Sequence, residues 1–237
     1  MRNATGRGFT IIEVVIAYVL LALLLVLAFY VVHSSSRPVA DATVRANMNA
    51  QGSLLLARLQ QELENGHQMA VGTWDGTFGA TSFVDALDDD ANPAVVRFTG
   101  RAVRFRNVDR TTPFASGAPN LTNREVIWAF VPDEAANNAD DDGDGLTDEL
   151  MLVRQERVPD PGFNAIGPAV PMLREVFNET PVVGGVVGPA RFQMFSPSNM
   201  VIEFELRRQV DFDTATMTRQ FASTRFRVAV NVRNMNF

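Results

Sequence analysis

The chain has 237 residues, a formal net charge of −6 at pH 7 and no cysteine. The absence of cysteine excludes disulfide bonds and thiol catalysis, and the acidic balance argues against nucleic acid as a partner. Residues 39–237 are numerous enough to form one medium-sized domain with its own hydrophobic core.

The N-terminal region contains an apolar segment that is long enough to cross a membrane. From Phe9 to Val32 the chain is apolar except for Glu13, and a helix of that length spans about 36 Å. Arg2 and Arg7 precede this segment without any acid, which predicts a cytoplasmic N-terminus and an exported remainder. A secretory signal peptide would have a shorter apolar core followed by a small-x-small cleavage site, and neither is present.

Glu13 is an unusual residue for a membrane helix, because a carboxylate at the bilayer centre costs about 2.5–3.5 kcal/mol. One interpretation is that its side chain simply reaches the nearby interface. Another is that it has a cationic partner, such as the α-amine that a cut between Gly8 and Phe9 would create. Two charges about 4 Å apart attract by about 4 kcal/mol at an effective dielectric near 20, which offsets the burial. Residues at i and i+4 lie a full turn apart, so the amine of a neighbouring chain fits better.

The pattern Gly8-Phe9-Thr10-x-x-Glu13 before an unbroken apolar helix resembles the type IV prepilin signal of pilins and type II secretion pseudopilins. The resemblance implies that a membrane-embedded prepilin peptidase cuts after Gly8 and methylates the new N-terminus at Phe9. It also implies that Glu13 registers each incoming subunit in a helical fibre. Many pilins carry a helix-bending proline within the span, whereas the first proline here is Pro38, where any bend is therefore expected.

The segment after the span predicts an amphipathic helix that covers a sheet. A short polar break over 34–38 separates it from the span, and Gly66 is a plausible stop. Gly52 weakens its middle by about 1 kcal/mol relative to alanine. The apolar residues that share one face are Val44, Met48, Leu55, Leu59 and Leu63.

The remainder predicts antiparallel strands, and hence an α+β fold with a helix followed by meanders. The alternating runs in 94–109 predict a hairpin that turns near Thr99-Gly100. Segments 124–132 and 149–158 predict a second pair around an acidic insertion. Three later segments predict strands: 189–197, 199–212 and 219–234. The Gly- and Pro-rich segments 159–171 and 181–189 predict loops.

The order of these parts resembles J-type minor pseudopilins of type II secretion. The segments that carry this resemblance are LLLARLQQELENG after the span, LVRQE in a middle strand and FRVAVNVRN at the end. The order also resembles W-type minor pilins. The resemblance implies a leader at 1–8, a transmembrane helix at 9–33, its exported continuation at 34–66 and a β-rich pilin-like head at 67–237. The implied setting is a single-pass inner-membrane protein with a periplasmic or extracellular head. Its implied partners are other pseudopilins or pilins, the prepilin peptidase, an inner-membrane assembly platform and membrane lipid.

The acidic segment 136–150 predicts a calcium loop, because oxygen ligands at alternate positions and a glycine turn suit that cation. In one register Asn138, Asp140, Asp142, Gly143 and Glu149 match the positions of an EF-hand loop. The alternative register resembles the shortened DxDxDG loops of dockerin and thrombospondin type and uses Asp140, Asp142, Asp144, Gly145 and Asp148. The predicted flanking strands argue against a true EF-hand. The other interpretation is a solvated acidic loop, although six carboxylates between Asp140 and Glu149 would repel one another without a cation.

The remaining candidates predict no catalysis. The acidic segment 85–93 lacks the glycine and the alternate spacing, which favours a solvated loop. Trp74 and Trp128 are interpreted as core or loop anchors, while His33 and His67 are isolated. No GxSxG, HExxH or P-loop pattern is present, so the chain is not expected to be an enzyme. Two function classes stay open: an assembled fibre subunit, or a permanently anchored calcium-dependent binding domain.

Overall fold

The computed structural model describes part of the chain, and the structural statements below refer to that part. The described residues are 10–72, 83–85, 98–108, 121–133, 140–141, 146, 149–157, 169–177, 190–196, 199–213 and 218–232. The chain divides into two compact units, Met1–Thr43 and Val44–Phe237. The second unit is called the head below.

One helix, α1, runs from Ile11 to Glu64. The polar break predicted at 34–38 is wrong, since this segment is helical. Its serine hydroxyls bond back to the preceding turn: Ser34 Oγ donates to the carbonyl of Val31 at 3.1 Å. Such back-bonding lets a polar residue stay within a helix. The predicted stop is confirmed, because α1 ends two residues before Gly66, which begins the first strand.

The head contains a large antiparallel sheet, so the α+β prediction is confirmed at that level. The hydrogen-bonded strand order is β2-β1-β4-β5-β6-β7-β9-β8-β3, and β10 pairs with β9. The ten described strands are β1 Gly66–Gly72, β2 Phe83–Asp85, β3 Phe98–Gly100, β4 Ala102–Val108, β5 Leu121–Pro132, β6 Leu150–Arg157, β7 Val170–Val176, β8 Arg191–Ser196, β9 Asn199–Asp213 and β10 Thr218–Asn231.

One predicted strand pairing agrees with this sheet, and the longest pairing was not predicted. β5 and β6 pair in register from Glu125–Arg157 to Pro132–Leu150, so the hairpin around the acidic insertion is confirmed. β9 and β10 pair along almost their whole lengths. One edge of β9 is therefore taken by β10, and β7 and β8 share the other.

The hairpin predicted at 94–109 is wrong. β3 pairs with β8, whereas β4 pairs with β1 and β5. The chain turns a corner between β3 and β4, and a side chain at Gly100 would collide with the backbone of Gly72. The carbonyl of Arg101 accepts a hydrogen bond from the backbone N–H of Phe130 at 2.8 Å. In addition, β7 begins at Val170, inside a segment that was predicted to be a loop.

The core lies between one face of α1 and one face of the sheet. Four of the five predicted helix residues are buried and Val44 is partly buried. Trp128 is fully buried on β5, which confirms it as a core anchor, while Trp74 lies outside the described residues. Aromatic rings extend the core across distant strands, with centroids 5.2 Å apart for Phe130 and Phe192 and 5.1 Å apart for Phe204 and Phe226.

Gly52 lies where α1 closely approaches the ring of Phe226 on β10. A Cβ built on it would be 2.6 and 2.7 Å from two ring carbons of Phe226 on β10, well inside ordinary contact distance. The glycine that weakens α1 locally is therefore the residue that lets β10 pack against the helix.

Candidate functional site

The first candidate site is the start of α1. Ile11–Val32 is a 22-residue segment that is long and apolar enough to cross a membrane, and none of it is buried within the protein. A helix of this length spans about 33 Å. One such helix near the N-terminus is compatible with a membrane anchor. Gly8 and Phe9, the two predicted processing residues, lie outside the described residues.

Glu13 lies in the first turn of α1 and contacts Thr10. The Oε2 atom of Glu13 accepts hydrogen bonds from the backbone N–H of Thr10 at 2.8 Å and from its hydroxyl at 3.0 Å. The backbone N–H of Glu13 in turn donates to the Thr10 hydroxyl at 3.3 Å. This reciprocal Thr-x-x-Glu arrangement is a capping box, which satisfies N–H groups that a helix start leaves unbonded.

The capping role of Glu13 was missed by the sequence analysis, although the Thr10-x-x-Glu13 spacing carries the signal for it. The contact has a chemical consequence. An exposed carboxylate held at the positive end of the helix dipole has a fixed position in the first turn of the apolar helix. A cation that approaches this turn would meet an oriented acceptor.

The second candidate site is the acidic loop between β5 and β6. The hairpin is closed by the backbone N–H of Asp133, which donates to the carbonyl of Glu149 at 3.0 Å. Leu146 and Glu149 are both buried, and Glu149 is only 2% exposed. Asp140 forms a salt bridge with Arg219 of β10 at 2.5 Å. The other predicted ligand and turn residues lie outside the described residues: Asn138, Asp142, Gly143, Asp144, Gly145 and Asp148.

The structure therefore places two of the six predicted calcium ligands, Asp140 and Glu149. Across the described part of the chain, no group of three or more histidine, aspartate or glutamate side chains is arranged to hold a metal ion. The segment 85–93 is described only at Asp85, the last residue of β2. His67 is buried at the start of β1.

Sequence reasoning also missed a polar cluster that fastens α1 to the sheet, here called the helix clamp. It consists of Glu62 on α1, Trp128 on β5 and Arg154 on β6. Glu62 Oε2 accepts hydrogen bonds from the indole Nε1–H of Trp128 at 2.9 Å and from Arg154 Nε at 2.9 Å. Arg154 also donates to Glu156 at 2.6 Å. Burial opposes the charge on Arg154, but the hydrogen bonds and charges of Glu62 and Glu156 outweigh it and raise the pKa of Arg154.

A second missed cluster crosses β8, β9 and β10. Glu203 is 4% exposed and lies between two arginines. Its Oε2 accepts from Arg191 Nη2 at 2.8 Å, and its Oε1 accepts from Arg225 Nη2 at 2.6 Å. Burial opposes ionisation, yet the hydrogen bonds and charges of the two guanidinium groups lower the pKa of Glu203 below its ordinary value. The cluster therefore links three strands through one ionised carboxylate.

These features define a class of protein: an α+β chain with one apolar N-terminal helix and a large antiparallel sheet. Comparisons with protein-family models, with curated proteins and with solved structures found no match.

Proposed function

We propose that the protein is a structural subunit of a type IV pilin-related fibre, either a type II secretion pseudopilus or a type IV pilus. The observation that carries the proposal is Glu13, an exposed carboxylate held by Thr10 in the first turn of an exposed apolar helix. Gly8 and Phe9 precede it directly, which is the spacing of the prepilin signal that this N-terminus resembles.

The proposed mechanism has three steps that use this chain's own residues. The apolar helix anchors the precursor in the inner membrane with its N-terminus in the cytoplasm. A prepilin peptidase then cuts between Gly8 and Phe9 and methylates the new amine. The amine of a neighbouring subunit pairs with the Glu13 carboxylate, and this attraction sets the axial position of each helix as it enters the fibre.

We further propose that the head serves in assembly. The C-terminal part of α1 packs against the sheet through buried leucines and through the helix clamp. A force that acts on this part of the helix during assembly would therefore also act on the sheet. The proposed partners are other pseudopilins or pilins and an inner-membrane assembly platform. The helix also contacts membrane lipid before extraction.

The N-terminal mass of the protein purified from membranes of its native host tests this proposal. The expected chain starts at N-methylated Phe9, and Gly8→Ala is expected to leave MRNATGRG attached because the residue before the cut is altered. A wild-type chain that keeps its leader while the peptidase is active would contradict the proposal and favour a permanently anchored domain.

A substitution at Glu13 separates charge pairing from helix capping. Glu13→Gln keeps an acceptor for the Thr10 N–H, since glutamine also serves in a capping box, but it removes the charge. Processing and membrane insertion are expected to stay normal, while recovery of the subunit in sheared fibres falls. Normal recovery of Glu13→Gln in the fibres would show that the charge does not register the subunit.

We also propose that the acidic loop binds calcium and that this ion fastens the β5–β6 hairpin. A buried carboxylate at the end of the loop needs a cationic or hydrogen-bonded environment, and Glu149 at 2% exposure is such a group. It is a ligand only in the first register, together with Asn138, Asp140 and Asp142, so its burial favours that register. The salt bridge from Arg219 to Asp140 means that calcium would share this carboxylate with a guanidinium.

Calcium titration of the purified full-length chain tests the loop. The melting temperature is expected to rise with calcium, because a ligand that binds only the folded state stabilises it. Asp142→Ala is expected to abolish this rise and to lower the melting temperature in calcium. Asp88→Ala, in the second acidic segment, is the matched control and should respond like the unaltered chain. An equal rise in both variants, or no rise in the unaltered chain, would contradict calcium binding here.

A further inference from the structure

A groove of about 630 Å³ lies on the head between α1 and the edge of β7. One wall comes from a single face of α1 and the other from consecutive residues of β7, and Arg208 of β9 completes it. The residues that line it on these two elements are Gln51, Leu54, Leu55 and Arg58, and Pro171, Met172, Leu173, Arg174 and Glu175. All of them belong to the head, and no step of the proposed fibre assembly uses them.

The first observation concerns the edge of β7. β6 pairs with one side of β7 from Val170 to Val176. On the other side, the only pairing with a described strand is Val176 with Leu206 of β9. Within the part of the chain that the structure describes, β7 therefore has an unpaired edge over 170–175, and this edge borders the groove. A strand edge of that kind is a template for an added strand.

The second observation concerns Glu175, the residue of β7 that comes directly before its one described pairing with β9. Glu175 has a φ of 60°, a backbone conformation that costs a non-glycine residue about 1 kcal/mol or more. Its carboxylate is held by Arg208 of β9, with Oε2 2.6 Å from Nε. Arg208 also donates to Gln51 of α1 at 3.4 Å. Arg208 therefore joins Glu175 on one wall of the groove to Gln51 on the other.

The third observation is the chemistry of the groove walls. Leu54 is 74% exposed, which is unusual for a leucine on the helix that covers the sheet. Arg174 and Arg58 retain side-chain exposures of 63% and 51%. Among the described residues they pair with Asp133 at 3.9 Å and Glu62 at 3.3 Å, and one carboxylate occupies at most part of a guanidinium's five donors. The groove thus combines apolar side chains with three arginines and one glutamate, Glu175.

From these observations we infer that the groove is a docking site for an extended segment of a partner protein that carries carboxylates and apolar side chains at alternate positions. The segment adds as a strand to the unpaired edge of β7, which gives it main-chain hydrogen bonds. Its apolar side chains cover Leu54 and Met172. Its carboxylates point to the opposite side, because successive side chains of a strand alternate, and they contact Arg174 in the charge-assisted geometry that guanidinium groups favour. Pro171–Glu175 accommodates about five residues of such a strand, or roughly 17 Å.

The experiment measures peptide binding to the full-length chain in nanodiscs, where no detergent competes for the groove. The probe is a fluorescent short peptide of alternating valine and glutamate, compared with valine–glutamine and valine–lysine peptides of equal length. Fluorescence anisotropy is expected to show the glutamate peptide binding about tenfold more tightly than the glutamine peptide. The lysine peptide is not expected to bind, and added salt should weaken the glutamate peptide.

Variants identify the site of binding. Arg174→Gln and Leu54→Ser are each expected to weaken the glutamate peptide by about tenfold, while both variants melt at nearly the temperature of the unaltered chain. Arg227→Gln is the matched control, since Arg227 is an exposed arginine on β10, and it should leave binding unchanged. Hydrogen exchange is expected to show new protection of the β7 amides.

Four results would overturn the inference, and the first three concern specificity and location. They are glutamine or lysine peptides that bind as tightly as the glutamate peptide, an Arg174→Gln variant that binds like the Arg227→Gln control, and protection that falls on β10 instead of β7. Failure of the glutamate peptide to bind at its solubility limit would do so as well. None of these results bears on the processing of the N-terminus, because the groove does not depend on fibre assembly.

Discussion

Glu62→Ala is expected to lower the free energy of unfolding by about 3 kcal/mol, because it removes the centre of the helix clamp. Trp128 is fully buried, and its indole N–H would lose its acceptor, which costs about 1–3 kcal/mol. Arg154, whose side chain is 18% exposed, would lose one of its two carboxylates. Breaking one partner of a buried ion pair is strongly destabilising because the remaining charge stays buried.

Urea unfolding of the purified full-length chain, followed by circular dichroism, measures this loss. Glu64→Ala is the matched control, since Glu64 is exposed on the same helix and accepts only from Gln60 among the contacts described, so its effect should stay within about 0.5 kcal/mol. Adding Trp128→Phe to Glu62→Ala should cost less than the sum of the two single losses, because both remove the same hydrogen bond. Equal losses for Glu62→Ala and Glu64→Ala would show that the clamp does not stabilise the head.

Gly52→Val is the second substitution with a large expected effect, at about 2–3 kcal/mol of destabilisation. On local grounds a side chain at this helical position should be favourable or neutral, since glycine is about 1 kcal/mol worse than alanine in a helix. The ring of Phe226 occupies the space that the new Cβ needs. The inserted side chain must therefore displace the Phe226 ring from its packed position, and overpacking of this kind costs about 1–3 kcal/mol.

A paired variant shows whether the Phe226 ring is the cause. Phe226→Leu alone should destabilise the head, but in the Gly52→Val background it should restore part of the lost stability because it makes room for the valine. Ala50→Val, at an exposed position of the same helix, controls for the helix cost of a β-branched residue. A Gly52→Val variant as stable as Ala50→Val would contradict the close approach.

The amino-acid sequence by itself determined the features that depend on local pattern. A continuous apolar segment can only be accommodated by lipid or by other apolar groups, so a helix at Ile11–Val32 that is long and apolar enough to cross a membrane follows from composition. The helical spacing of Met48, Leu55, Leu59 and Leu63 predicted the buried face of α1, because the period of a helix decides which residues share a face. The β5–β6 hairpin followed in the same way from alternating runs on either side of a loop.

Only the tertiary structure decided the contacts between residues that are far apart in the chain. β3 pairs with β8 rather than with its neighbour β4, because strand partners are chosen by the faces that the whole sheet buries. No local signal joins Glu62 to Arg154 or Glu203 to Arg225, since a hydrogen bond between distant residues exists only after the elements that carry them have packed. The same holds for Gly52, whose role depends on where the ring of Phe226 comes to lie, and for the groove beside β7, whose walls come from α1, β7 and β9.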